Sequence, residues 1–267
     1  MINIKEILEK IYDNDELRKS IVPLFIGDPG LGKTVHIAAF AKERGVNLIE
    51  LITSQMSPYE ISGIAMPDKD SKKMTYFNFD KLENLKDNDI LFFDEVLNGN
   101  PVVLNACLTI LEQRTLISGK PLPNIMIVGA ANPQGMVPLT PQIKERFVWY
   151  DVKFSKTMWN KYMSNKYGLP TSICTLLNTL IVNEDFKQSR NFYTARSVDK
   201  AVNMIIHDVP TPYSLVITPI LNTLIKNPLN DSIKLSSTKE LLPNEMISWL
   251  DLIRYNEKEK KKEKSKK

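Results

Sequence analysis

Residues 25–34 read Phe25-Ile26-Gly27-Asp28-Pro29-Gly30-Leu31-Gly32-Lys33-Thr34. A glycine, four residues and then Gly-Lys-Thr is the spacing of a phosphate-binding loop. Such a loop doubles back so that successive backbone N–H groups point inward at polyphosphate oxygens. Gly27, Gly30 and Gly32 permit that path, Lys33 brings a mobile positive charge for the β- and γ-phosphates, and the Thr34 hydroxyl can ligate a magnesium ion bridging them. The flanks fit: Val22 to Ile26 is an apolar run of strand length, and Val35 to Lys42 is helix-compatible and stopped by Gly45. A helix beginning near Gly32 adds its positive end to the loop. The nucleotide-binding set is therefore Gly27, Asp28, Pro29, Gly30, Leu31, Gly32, Lys33, Thr34 and Val35.

Asp89 to Glu95 reads Asp-Ile-Leu-Phe-Phe-Asp-Glu, four apolar residues followed by two carboxylates. A buried strand ending this way delivers the acids to the carboxyl edge of a sheet, where ligands of open α/β folds bind. Asp94 is placed to hold magnesium through water and Glu95 to polarise an attacking water. Asn47 to Ile52 is a second strand, and strand, helix, strand is the unit of a parallel sheet. Ile125 to Ala130 is another buried strand, and Asn132 at its end offers an amide for positioning water; Asn before Pro is also a plain turn signal. Between these, Asn100 caps a helix opening at Pro101, with Leu104, Cys107, Leu108 and Leu111 on one stripe. Thr115 to Lys120 turns at Ser118-Gly119. Arg146, before the strand Val148 to Val152, suits stabilising a leaving phosphoryl group in trans, or else a surface ion pair with Glu145 or Asp151.

Other stretches depart from this rhythm. Ile4, Ile7, Leu8 and Ile11 open the chain with an amphipathic helix, ended by Asp13-Asn14-Asp15. Residues 53–80 place Met56, Tyr59, Ile64, Met66 and then Met74 to Phe77 around a charged turn, the pattern of an exposed hairpin or loop insertion. Beyond Phe154 the pattern is helical, near Lys156 to Tyr167, Pro170 to Val182 and Thr194 to His207. Arg196 lies off the apolar face of the last of these, exposed or turned to a ligand. The expected organisation is an α/β domain at 1–153, a small helical domain at 154–210, a helical extension at 211–256 and a Lys-rich tail at 257–267.

The composition is that of a soluble globular protein, 43% apolar and 25% charged. The formal charge of +4 is concentrated in the tail, where seven lysines and three glutamates leave residues 1–256 neutral. A neutral body argues against a dedicated nucleic-acid surface. No apolar run approaches the roughly 20 residues that span a bilayer, and no secretory signal is read at the N-terminus. Cys107 and Cys174 lie in apolar helical patterns, which suits a reducing cytoplasm. The two histidines, His36 and His207, do not stand at ligand spacing with the cysteines, so no zinc site is expected.

Taken in order, Gly-Asp-Pro-Gly-Leu-Gly-Lys-Thr at 27–34, Leu-Phe-Phe-Asp-Glu at 91–95, Gly-Ala-Ala-Asn-Pro at 129–133, Lys-Glu-Arg-Phe at 144–147 and Thr-Ala-Arg-Ser at 194–197 resemble the AAA+ ATPases, and among them the MoxR-like group of the helix-2-insert clade. The resemblance implies a P-loop NTPase fold, a three-layer αβα sandwich with a parallel sheet, followed by an all-α lid. It implies Walker A at 27–34 and Walker B at 91–95, with Thr34 and Asp94 on Mg2+. It implies that Glu95 is catalytic, that Asn132 is sensor 1, that Arg146 is an arginine finger reaching a neighbouring subunit, and that Arg196 is sensor 2. Residues 58–64 match the insert in the second helix, and Arg114 to Lys120 the hairpin before sensor 1. ATP is the implied nucleotide, since no Asn/Thr-Lys-x-Asp guanine-reading motif is present. The implied partners are further copies of the chain in a hexameric ring and a protein client, such as one with a von Willebrand A domain. A nucleic-acid motor and a nucleotide-gated switch with little turnover remain as alternatives.

Overall fold

The computed structural model describes residues 3–70, 73–169, 171–182 and 194–207. It divides into two compact units, Met1–Lys153 and Phe154–Lys267. The readings made above for 208–256 and for the tail at 257–267 lie outside the described residues.

The first unit opens with α1 (Ile4–Tyr12), which buries Ile4, Leu8 and Ile11. The stop at Asp13-Asn14-Asp15 is also a start. Asn14 is extended and its side chain accepts from the amides of Glu16 and Leu17, capping a second helix, α2 (Asp15–Ser20), that apolar spacing alone did not reveal. There follow β1 (Pro23–Ile26), α3 (Lys33–Arg44), closed by Gly45 in the left-handed region, and β2 (Leu48–Ile52). After a short α4 (Pro58–Ser62), β3 (Ile64–Asp68) and β4 (Lys73–Phe77) pair antiparallel as a hairpin. The chain continues through α5 (Asp80–Glu83), β5 (Ile90–Asp94), α6 (Pro101–Gln113), β6 (Met126–Ala131), α7 (Pro141–Glu145) and β7 (Val148–Asp151).

Five strands make one sheet in the order β2-β5-β6-β1-β7, all parallel. The strand, helix, strand unit is present, yet its two strands are not neighbours. β1 pairs with β6 and β7, while β2 lies at the edge beside β5. The crossover through α3 therefore carries the chain past two strands, and β7 returns to the other side of β1. The first strand ends up inside the sheet, between β6 and β7, with its carboxyl end at the point where the strand order reverses, the place where open α/β sheets bind ligands.

The apolar runs are continuous because both faces of the sheet are covered. Phe25, Ile90, Phe92, Met126 and Val128 face the core shared with α1 and α3. Leu24, Leu91, Phe93 and Ile127 face the core shared with α6 and α7. On α6 the buried stripe is Val103, Leu104, Cys107, Ile110 and Leu111, and Leu108 only packs against it half-buried. The stripe rotates one position from the expected one because Val103 and Ile110 complete the i, i+4, i+7 row under Leu104 and Leu111. Asn100 caps this helix through the Val102 amide at 2.8 Å.

In the second unit, α8 (Lys156–Tyr167), α9 (Thr171–Val182) and α10 (Ala195–Ile206) are described. Trp159, Met163, Cys174, Leu177, Val198 and Val202 are buried. Lys166 bridges α8 to Asp199 of α10 at 2.9 Å. Burial pulls its ammonium down, but the hydrogen bonds it makes with Tyr162, Asp199 and Tyr167 outweigh this and hold it above the usual lysine range.

Candidate functional site

The loop between β1 and α3 is pressed into the end of the sheet. The Gly27 amide donates to the Ala131 carbonyl of β6 at 3.3 Å, and a Cβ at Gly27 would lie 2.4 Å from the carbonyl oxygen of Val152, just past β7. Gly30 and Gly32 have φ of 85° and 82°, the left-handed region that the doubling back requires. Gly32 stands at the N-cap of α3, so the first free amides of a twelve-residue helix open toward the loop.

Lys33 is only 7% exposed. Its ammonium donates to the carbonyls of Gly27 at 2.5 Å and Asp28 at 3.2 Å, and to Asn132 Oδ1 at 3.1 Å. Residues 99 positions apart thus meet over one loop. Thr34 Oγ1 donates to Asp94 Oδ2 at 2.8 Å, joining the start of α3 to the end of β5. Asp94 Oδ1 accepts from the Glu95 amide at 2.9 Å. Glu95 itself has φ of 54°, a conformation that costs a non-glycine residue of order 1 kcal/mol and turns its side chain away from the line of the strand.

Among the described residues no group of three or more His, Cys, Asp or Glu side chains is placed to hold a metal. The donor set is instead one hydroxyl and one carboxylate in contact, Thr34 and Asp94. That suits Mg2+, which takes few protein oxygens and shares its remaining positions with water and phosphate.

Three supporting residues escaped the reading of the sequence. Thr53 is buried and donates to the Glu95 carbonyl at 2.9 Å and the Asp94 carbonyl at 3.2 Å. Ser54 donates to the Glu95 carboxylate. Asn98 bonds to the backbone of Asn132 and Gln134. The signal for the first two was a polar run, Thr53-Ser54-Gln55, directly after an apolar strand on the same sheet edge as Glu95. Glu50, on β2, has its carboxyl raised above the usual range by burial first and by the neighbouring Asp94 charge second, offset by Lys81. His36, one turn along α3 from Lys33, is half-buried, and burial lowers its imidazole below the usual range.

The other expected residues are not in this hydrogen-bonded group. Arg146 caps the C-terminus of α7, and its guanidinium pairs with Glu112 of α6 at 2.6 Å, not with Glu145 or Asp151. A neighbour in sequence was the wrong guide because α6 and α7 pack on the same face of the sheet. Arg196 is exposed at the start of α10, in the second unit, with Ala195, Val198, Ala201 and Val202 buried beneath it. Asp28, Pro29 and Val35 are exposed and Leu31 half-buried. A groove of about 830 Å³ runs along the edge strand β2, lined by Glu50, Met56, Phe79 and Lys81 among others; no residue of the phosphate loop lines it, so polar geometry and not concavity marks the site.

A parallel sheet of this strand order, with a phosphate loop after β1 and an acidic pair after β5, two strands away, is a P-loop NTPase-like α/β fold. Residues 19–147, just under half of the chain, match the family described as "MoxR domain in the MoxR-vWA-beta-propeller ternary systems". Two proteins of Methanocaldococcus jannaschii, "Uncharacterized protein MJ0812" and "Uncharacterized protein MJ0079", are each 31% identical to this chain over 132 residues, 48% of it. The chain spans about a third of the length of these relatives, 34% and 33%. Among solved structures, the Thermotoga maritima RuvB Holliday junction branch migration motor aligns with a TM-score of 0.52 at 16% identity, covering 84% of this chain and 69% of that one. The closed state of Hsp104 with ATPγS and casein aligns with a TM-score of 0.50 at 20% identity, covering 72% and 41%. At these identities the likeness is one of fold.

Proposed function

We propose that the chain binds and hydrolyses Mg-ATP at the interfaces of a ring of its own copies, a hexamer, and uses the cycle to remodel or activate a protein client. The observation that carries this reading is the convergence of Lys33, Thr34, Asp94, Glu95 and Asn132 at the carboxyl edge of one parallel sheet, from segments up to 99 residues apart. The amides of 27–34 cradle the phosphates, and Lys33 exchanges its contacts with the loop carbonyls for phosphate oxygens. Thr34 and Asp94 would hold Mg2+, which supplies charge neutralisation when bound. Glu95, oriented by Ser54, polarises the attacking water, and Asn132 positions it.

Arg146 carries the ring: with its guanidinium on Glu112, outside this group, it has no role in hydrolysis unless it serves a neighbour's nucleotide. We read residues 154–210 as the lid and Arg196 as its sensor 2. The client is a protein with a von Willebrand A domain, in keeping with the description of the matched family. Its contact is the β3–β4 hairpin, where Ile64, Met66, Met74, Tyr76 and Phe77 are all exposed. Among the described residues no helix is long and apolar enough to cross a membrane, and two unpaired, buried cysteines suit the cytoplasm.

The test is ATP turnover per subunit against protein concentration, with particle mass measured alongside, for the wild type, Glu95→Gln and Arg146→Ala. Turnover should rise with assembly and fall by about a hundredfold or more in both variants, while ATP binding persists. Turnover independent of concentration, or an active Arg146→Ala protein, overturns the ring mechanism. Salt-sensitive stimulation by DNA that is lost on removing residues 257–267 would move the reading to a nucleic-acid motor.

A further inference from the structure

The turn after β5 is held from two sides at once. Thr53 and Ser54 bind Glu95 from the exit of β2, and Gly99 is so close to that exit that a Cβ there would lie 2.8 Å from the Thr53 carbonyl oxygen. On the other side, the Val96 amide donates to the Ala130 carbonyl at 3.0 Å, and the Val137 amide to the Leu97 carbonyl at 2.9 Å. Between them stands Asn98. Its Oδ1 accepts from the Asn132 amide at 2.9 Å, and its Nδ2 donates to the carbonyls of Asn132 at 3.0 Å and Gln134 at 2.8 Å. Its own amide donates to the Glu95 carbonyl at 2.8 Å.

We propose that Asn98 is a positioning residue that ties the turn carrying Glu95 to the loop carrying Asn132, so that the water-polarising carboxylate and the phosphate-facing amide keep one mutual geometry. This inference rests on the ATPase reading above. A carboxamide has two donor hydrogens, and Asn98 spends both on backbone carbonyls. It has none left for a nucleotide and acts through the residues that it holds. The hold is specific to the amide: an aspartate of the same shape keeps the acceptor for Asn132 N–H but sets a carboxylate oxygen against two carbonyl oxygens. The connection runs on without a break, since the Asn132 side chain accepts from Lys33 in the phosphate loop.

Asn98→Ala and Asn98→Asp, made in the full chain, should keep ATP affinity within about threefold and lose turnover by about tenfold or more, because misplacing a catalytic group costs rate more than binding. The second measurement is a cycle with Asn132→Ala. If Asn98 acts by aiming Asn132, adding Asn98→Ala to Asn132→Ala costs little further turnover; fully multiplicative losses overturn the proposal. Hydrogen exchange gives an activity-independent readout. The Asn132 amide should lose protection in Asn98→Ala and retain it in Asn98→Asp, and equal protection in all three proteins overturns the tie. A wild type that turns over beside an equally active Asn98→Ala protein defeats this inference alone, whereas a wild type that neither binds nor hydrolyses ATP defeats the ATPase reading and this inference with it.

Discussion

Gly27 is the residue at which main chain alone dictates identity. The 2.4 Å approach of a Cβ to the Val152 carbonyl oxygen is a contact with backbone, which has no rotamer by which to yield. Gly27→Ala should therefore cost about 1–3 kcal/mol of stability and displace the loop. Thermal unfolding with and without ATP checks this: the variant should melt lower and gain less from nucleotide. Motif spacing singles out Gly27 for a phosphate to approach; the Val152 carbonyl, just past β7 and more than a hundred residues away in the chain, became visible only in the fold. Arg146 makes the complementary point. The sequence offered a charged side chain and its neighbours, Glu145 and Asp151, whereas the side chain reaches Glu112, 34 residues back. With the pair 30% and 47% exposed, solvent screening limits it to a fraction of a kcal/mol, weak enough to yield to a phosphate in a neighbouring copy.

Elements differ in how much of their surface the domain uses. β5 and β6 are buried on both faces and read in the sequence as unbroken apolar runs. The β3–β4 hairpin is apolar too, but Met74 and Phe77 are 59% and 61% exposed, and the burial of its two strands shows no covered face. Periodicity cannot distinguish these cases, because exposure is decided by what packs above a strand, not by the strand. Among the described residues, the five-stranded sheet and the core clusters on its two faces contain no hairpin residue. Its ends are close, with a Cβ at Gly63 falling 2.7 Å from the Phe77 carbonyl oxygen. Replacing 65–76 by a two-residue turn should leave the melting temperature within a few degrees, about the effect of 1 kcal/mol. If the hairpin is the client contact, the shortened protein should hydrolyse ATP normally and lose stimulation by client. A large loss of stability would show that the hairpin packs on its own domain.

For the whole molecule, the five-stranded sheet and the core clusters on its two faces lie within Met1–Lys153. That segment should fold by itself, giving one cooperative thermal transition and dispersed amide resonances, because every strand has its neighbour and both sheet faces are covered without residues beyond 153. Failure to fold, or a molten species, would mean that the second unit supplies part of the core. The sequence was enough for the parallel α/β class, because that class is written in local spacing, period and composition. It placed β2 after β1 but not at the far edge of the sheet. It marked Thr53 and Ser54 only as a polar run after an apolar strand, and gave no hint that Asn98 would brace Asn132. Those facts belong to the tertiary structure alone: strand order and side-chain partnership are set by contacts between segments distant in the chain, and a local pattern carries no information about which distant segment will be its neighbour.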